Sequence, residues 1–276
     1  MRKILSISIM TALSFLLLSC GEDLTPDQRV VRMRHLMDEE KYEQALEHLV
    51  TLKKELPTDK ATLFIGGRLY EKMGQIDSAL SYAVKFTALF PADFEGQKFL
   101  YEISERAEDF ELQLRAANRL GFLEKNRKKY LPKIAELNIK TGKPGMAVSI
   151  YRDLLADDPS NNQLRFSFAF SLGVVGKFDS AIVVMEELLA QNPGKMELMN
   201  NLAFFLAQAE RFEEAKTQYT LVTKSFPDYL AGWHGLGTVL KQLGDTNQAI
   251  DAFQRVYNTN PAFMGVDSIL RELRPE

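Results

Sequence analysis

The stretch Trp233–Pro261, WHGLGTVLKQLGDTNQAIDAFQRVYNTNP, decides the fold. It reads as two helices joined by a turn. Trp233, Leu236, Gly237 and Leu240 share one side of the first helix, and Gly244 breaks it. Ala249, Phe253 and Val256 mark the second, which Pro261 stops. Counting back by 34 from Pro261 meets Pro227, Pro193 and Pro159. Position 125 holds Lys, and the series resumes at Pro91 and Pro57. A constant period of this length predicts an all-α stack of helical hairpins.

With proline at position 32 of each repeat, the chain tiles without insertion into 26–59, 60–93, 94–127, 128–161, 162–195, 196–229 and 230–263. Position 20 is Ala in six units and Gln113 in the third. Position 27 is always large and apolar, from Leu52 and Phe86 to Val222 and Val256. Position 8 is Gly67, Ala135, Ala169, Ala203 or Gly237 in five units, and position 15 is Gly74, Gly142, Gly176 or Gly244 in four. Two helices approach closely only where side chains are small, which suits positions 8 and 20. Large residues at positions 24 and 27 lie on one helical face and fill the seam to the next unit. Glycine at 15 permits the left-handed residue that ends a helix, and proline at 32 blocks continuation of the second.

These residues together resemble the tetratricopeptide repeat family, from Pro26 to Phe263. The resemblance implies a right-handed superhelical solenoid of about seven helix-turn-helix units, whose first helices line a concave face that binds peptides or helices. Two units depart from the pattern. The third carries Tyr101, Gln113 and Lys125 where a small residue, Ala and Pro belong, and reads either as a loosened repeat or as a kink between two sub-arrays. The first has Met33 at position 8, as terminal units are often atypical. Residues 264–276 are expected to form a capping helix, with Ile269, Leu270 and Leu273 inward and Arg271 and Glu272 in water.

At the other end, Arg2 and Lys3 precede an apolar segment, Ile4 to Leu18, too short for the roughly 20 residues that cross a bilayer. Residues 1–19 therefore read as a signal peptide. Leu17-Leu18-Ser19-Cys20 resembles the lipobox of bacterial lipoproteins, which implies acylation of Cys20 and anchoring in a lipid bilayer. More than one acyl chain is needed for stable anchoring. Gly21, in place of Asp, implies the outer membrane with the body facing the periplasm; Glu22-Asp23 faintly resembles a surface-export tag. Thr25 to Gln28 form a capping box that starts the first helix, so residues 20–25 are a tether of roughly 17 Å at most.

Composition narrows the function. The net charge is −3, and −5 once Arg2 and Lys3 are removed, which offers no basic face for nucleic acid. One cysteine and three scattered histidines make neither a disulfide nor a metal site, so no metal and no cofactor are expected. No G-x-S-x-G, H-E-x-x-H or P-loop occurs, and an enzyme is not expected.

The family's groove residues come from positions 2, 5, 9 and 12 of each first helix. Units 1 to 4 are mostly charged there, including Arg34, Arg68, Glu71, Lys98, Glu102 and Glu136, with Phe64 an isolated aromatic. Units 5 to 7 present Phe166, Phe170, Asn200, Phe204 and His234. No unit pairs Lys at 5 with Asn at 9, which weighs against the family's carboxylate clamp. The phenylalanines form either an apolar groove for a partner segment or, with the helix rotated, plain core. Trp233, at position 4, is expected between helices. The expected role is an anchored adaptor that binds other envelope proteins in its groove; the alternative is capture of a polysaccharide or nutrient for a transporter.

Overall fold

The structure, a computed structural model, describes residues 24–274. The signal segment, the lipobox and Cys20 lie outside the described residues. The chain forms two compact units, Met1–Leu123 and Glu124–Glu276. Among the described residues every regular element is helical.

The first unit holds α1 (Pro26–Asp38), α2 (Tyr42–Glu55), α3 (Lys60–Lys72), α4 (Ile76–Leu89), α5 (Phe94–Arg106) and α6 (Phe110–Leu123). They pack as consecutive pairs, and each of the first two pairs leans on the next. Ala45 and Ala79 are fully buried where helices approach, and Leu52, Phe86 and Leu120 fill the seams. Position 20 of the third pair is also buried, but it is Gln113, whose amide nitrogen has no hydrogen-bond partner. Gly96 faces Phe86 so closely that a β-carbon would lie 2.0 Å from the ring. Thr25 and Gln28 form the expected capping box, while Asp59 and Asp93 cap α3 and α5 by accepting from the N–H of Thr62 and Gly96.

The second unit holds α7 (Arg127–Lys140), α8 (Pro144–Asp157), α9 (Asn162–Val174), α10 (Phe178–Gln191), α11 (Met196–Gln208), α12 (Phe212–Ser225), α13 (Leu230–Gln242) and α14 (Thr246–Thr259). A 3-10 turn, Phe263–Gly265, then leads into α15 (Val266–Leu273). The helices again pair in order, and α15 lies on α14. It buries Val266 and Leu270, whereas Ile269 and Leu273 are only half-buried. The third repeat, in the first unit, has two full-length helices, and the division between units falls directly after α6. There Lys125, at the very site where the other repeats carry proline, takes a positive φ of 53°.

Two rules run through both units. The residue at position 15 is left-handed in all seven repeats, with φ between 55° and 84°, although three of them hold Glu40, Glu108 and Glu210 instead of glycine. The next residue's N–H then reaches back five residues in every repeat, as from Lys41 to Leu36 and from Asp245 to Leu240, closing the helix end at 2.7–2.9 Å. The second concerns three of the six prolines at position 32, whose carbonyls accept from the following repeat. Lys85 donates to Pro57 (2.9 Å), Arg119 and Gln97 to Pro91 (2.8 and 3.1 Å), and Trp233 to Pro227 (2.8 Å). The carbonyl sits past the helix end without a backbone donor, so any long side chain of the next repeat that reaches it satisfies a costly vacancy.

Candidate interaction surface

In the first unit the face read as a groove is largely occupied by its own side chains. Val30 and Met37 are buried in the core. Phe64, expected as an isolated aromatic, packs instead against Phe86 and Phe99, with ring centroids 5.5 and 5.8 Å away. Arg68 covers it, its guanidinium 4.4 Å from the Phe99 centroid and 5.5 Å from that of Phe64. Arg68 also pairs with Glu71 (2.9 Å) and Glu102 (3.4 Å), and Arg106 pairs with Glu71 (3.0 Å). Charges that look like groove residues in the sequence therefore neutralise one another between α3 and α5. Each such partly exposed pair contributes at most about 1 kcal/mol.

The second unit is different. Phe166 is half-buried against the core, as is Phe168. Phe170 and Phe204, at position 9 of successive first helices α9 and α11, remain 41% and 44% exposed, and Val174 on α9 is 44% exposed. Phe166 and Phe168 serve the core, while Phe170 and Phe204 face outward. Val174 was missed because position 13 lies outside the usual groove set.

Asn200 and His234, at position 5 of α11 and α13, are tied into helix packing. Asn200 Oδ1 and His234 Nε2 are buried without a partner. The His234 ring stands edge-on to Phe253 (5.5 Å) and Phe263 (6.2 Å). Burial pushes its pKa down, against a hydrogen bond with the Met264 backbone, so the imidazole is neutral at pH 7. Trp233 packs as expected, half-buried, with Arg255 stacked 4.6 Å from its ring centroid. Among the described residues there is no group of three or more His, Cys, Asp or Glu suited to a metal, and no helix long and apolar enough to cross a membrane.

Family models described as tetratricopeptide repeat match residues 175–240 and 230–263. No curated protein matches the sequence significantly. Among solved structures, the chain is similar to a tetratricopeptide repeat protein from Parabacteroides merdae, with TM-score 0.55 at 14% identity, over 90% of this chain and 98% of that one. It is also similar to the C-terminal part of a repeat-containing protein from Cytophaga hutchinsonii, with TM-score 0.55 at 11% identity over 87% and 98%. MamA residues 41 to the end from Desulfovibrio magneticus give TM-score 0.53 at 17% identity, over 62% of this chain and 97% of that one. At such identities the likeness concerns the fold. The chain thus carries tetratricopeptide repeats, and its paired helices make a scaffold suited to protein–protein interaction.

Proposed function

We propose that this protein is a lipid-anchored scaffold of the bacterial cell envelope, holding an apolar segment of a partner protein on α9 and α11. The observation that carries the reading is the exposed set Phe170, Val174 and Phe204. The repeat scaffold does not need these large side chains outside, and large apolar side chains left exposed at the same position of successive first helices suit an interaction site. An amphipathic helix or extended apolar segment suits it, since neither requires charged partners. The lipobox-like Leu17-Leu18-Ser19-Cys20 supports anchoring, and the short tether would keep the body beside the membrane.

Co-purification from detergent-solubilised membranes tests the docking role. Phe170→Asp/Phe204→Asp should keep the wild-type melting temperature and lose the wild-type partners; retention of the same partners rejects the surface. Cys20→Ser tests the anchor separately. It should move the protein from the membrane to the soluble fraction, and an unchanged distribution rejects acylation.

A further inference from the structure

We propose that the cleft between α4 and α6 is a second docking site, which binds an acidic segment of a partner protein through Arg115, Arg119 and Phe122. The cleft has a volume of about 640 Å³, with Val84, Ala88 and Pro91 along its floor. That size falls within the range of sites that hold ligands. Phe122 forms one wall and is 70% exposed, more than any other large apolar side chain among the described residues.

Its charge is one-sided. Arg115 and Arg119 line the cleft and no carboxylate does. Arg119 is held in place: Nε donates to Pro91 at 2.8 Å, and the guanidinium lies 5.3 Å from the Phe122 ring centroid. Its Nη groups have no partner among the described residues. Arg115, one turn earlier and exposed, has neither an ion pair nor a hydrogen bond there. This contrasts with Arg68 and Arg106 of the same unit, whose charge Glu71 and Glu102 offset.

Folding accounts for the Nε of Arg119, which serves Pro91, but for neither Arg115 nor Phe122. The three occupy positions 22, 26 and 29 of the third repeat. No other repeat has Arg at 22 or an aromatic at 29, where Lys, Ala or Asn stands instead. The other repeats build the same helix pair without them.

The spacing selects the occupant. Residues four apart on a helix are displaced about 6 Å along its axis. Alternate residues of an extended chain are roughly 6.6 Å apart on one face. Two carboxylates at alternate positions therefore match Arg115 and Arg119, and an apolar residue two further on meets Phe122. Arginine suits carboxylates through paired N–H donors, and its stacking on Phe122 leaves that edge free.

The test is fluorescence anisotropy with the full chain and a labelled peptide bearing two aspartates at alternate positions followed by leucine. Saturable binding is expected, weakened at least about tenfold by Arg115→Glu. Phe122→Ala should weaken it by a smaller factor, and salt should weaken it further. Both residues are exposed, so far-UV circular dichroism should show unchanged folding. Three results overturn the proposal: no saturable binding, equal binding of the matching lysine peptide, or displacement of the peptide by equimolar inorganic phosphate, which would mark a simple anion site. Phe170→Asp/Phe204→Asp should leave this binding unchanged, so the two surfaces fail or succeed separately.

Discussion

The indole N–H of Trp233 donates to the carbonyl of Pro227 at 2.8 Å, joining the last full repeat to the end of the one before it. Arg255 stacks on the same ring at 4.6 Å. Trp233→Phe keeps the ring but removes the donor and weakens the stacking. It should cost about 1–2 kcal/mol, read as a lower urea midpoint by circular dichroism. An unchanged midpoint would show that water replaces the indole at Pro227 without loss.

Glu40, Glu108 and Glu210 sit at the left-handed position that glycine fills in the other four repeats. A β-carbon there is strained by about 1–2 kcal/mol, partly offset by glycine's greater freedom in the unfolded chain. Glu210→Gly should therefore raise stability by about 0.5–1 kcal/mol, seen as a higher melting temperature. Gly176→Ala, the converse change at φ 76°, should lower it.

Gly96 and Gly173 are required by close approach. A β-carbon would lie 2.0 Å from Phe86 and 2.2 Å from Phe205, both buried rings. Gly96→Ala and Gly173→Ala should each destabilise by about 1–3 kcal/mol through overpacking. Gly145, where an added β-carbon meets nothing, is the control: Gly145→Ala should be neutral or slightly stabilising. Equal effects at all three sites would mean that helix propensity, not contact, governs these positions.

His234 makes the second unit sensitive to mild acid. Its folded pKa lies below the ordinary value of 6.5, chiefly through burial, so below pH 6.5 the unfolded chain takes up a proton that the folded one resists. Stability is complete above that pH and declines as pH falls from 6.5 toward the folded pKa. Urea titrations followed by Trp233 emission, which reports on this unit, should show the decline as pH falls below 6.5. His234→Gln should flatten it. A slope unaffected by the substitution would assign the effect to other groups.

Much of this molecule was legible in the chain because its spacing rules are local. Small residues at positions 8 and 20, glycine at 15 and proline at 32 act locally, and most repeats restate them. The aromatic residues were harder to read. Phe64, Phe166, Phe170 and Phe204 all fall on positions assigned to one face, yet Phe64 lies under Arg68 and Phe166 against the core, while Phe170 and Phe204 stay outside. A few degrees of helix rotation decide that, and rotation depends on neighbours 34 residues away. The left-handed glutamates were hidden for another reason: the closing hydrogen bond imposes the conformation whatever the side chain.

The repeat period, the helix pairs and their ends are properties of the sequence, because contacts between near neighbours in the chain produce them. Packing between repeats settled the rest. It half-buried Phe64, paired Arg68 with Glu102, left Arg115 without a counter-charge, and brought Lys85, Arg119, Gln97 and Trp233 onto proline carbonyls. Four different side chains serve one acceptor there, so no residue pattern announces it; only the distance between successive helices does.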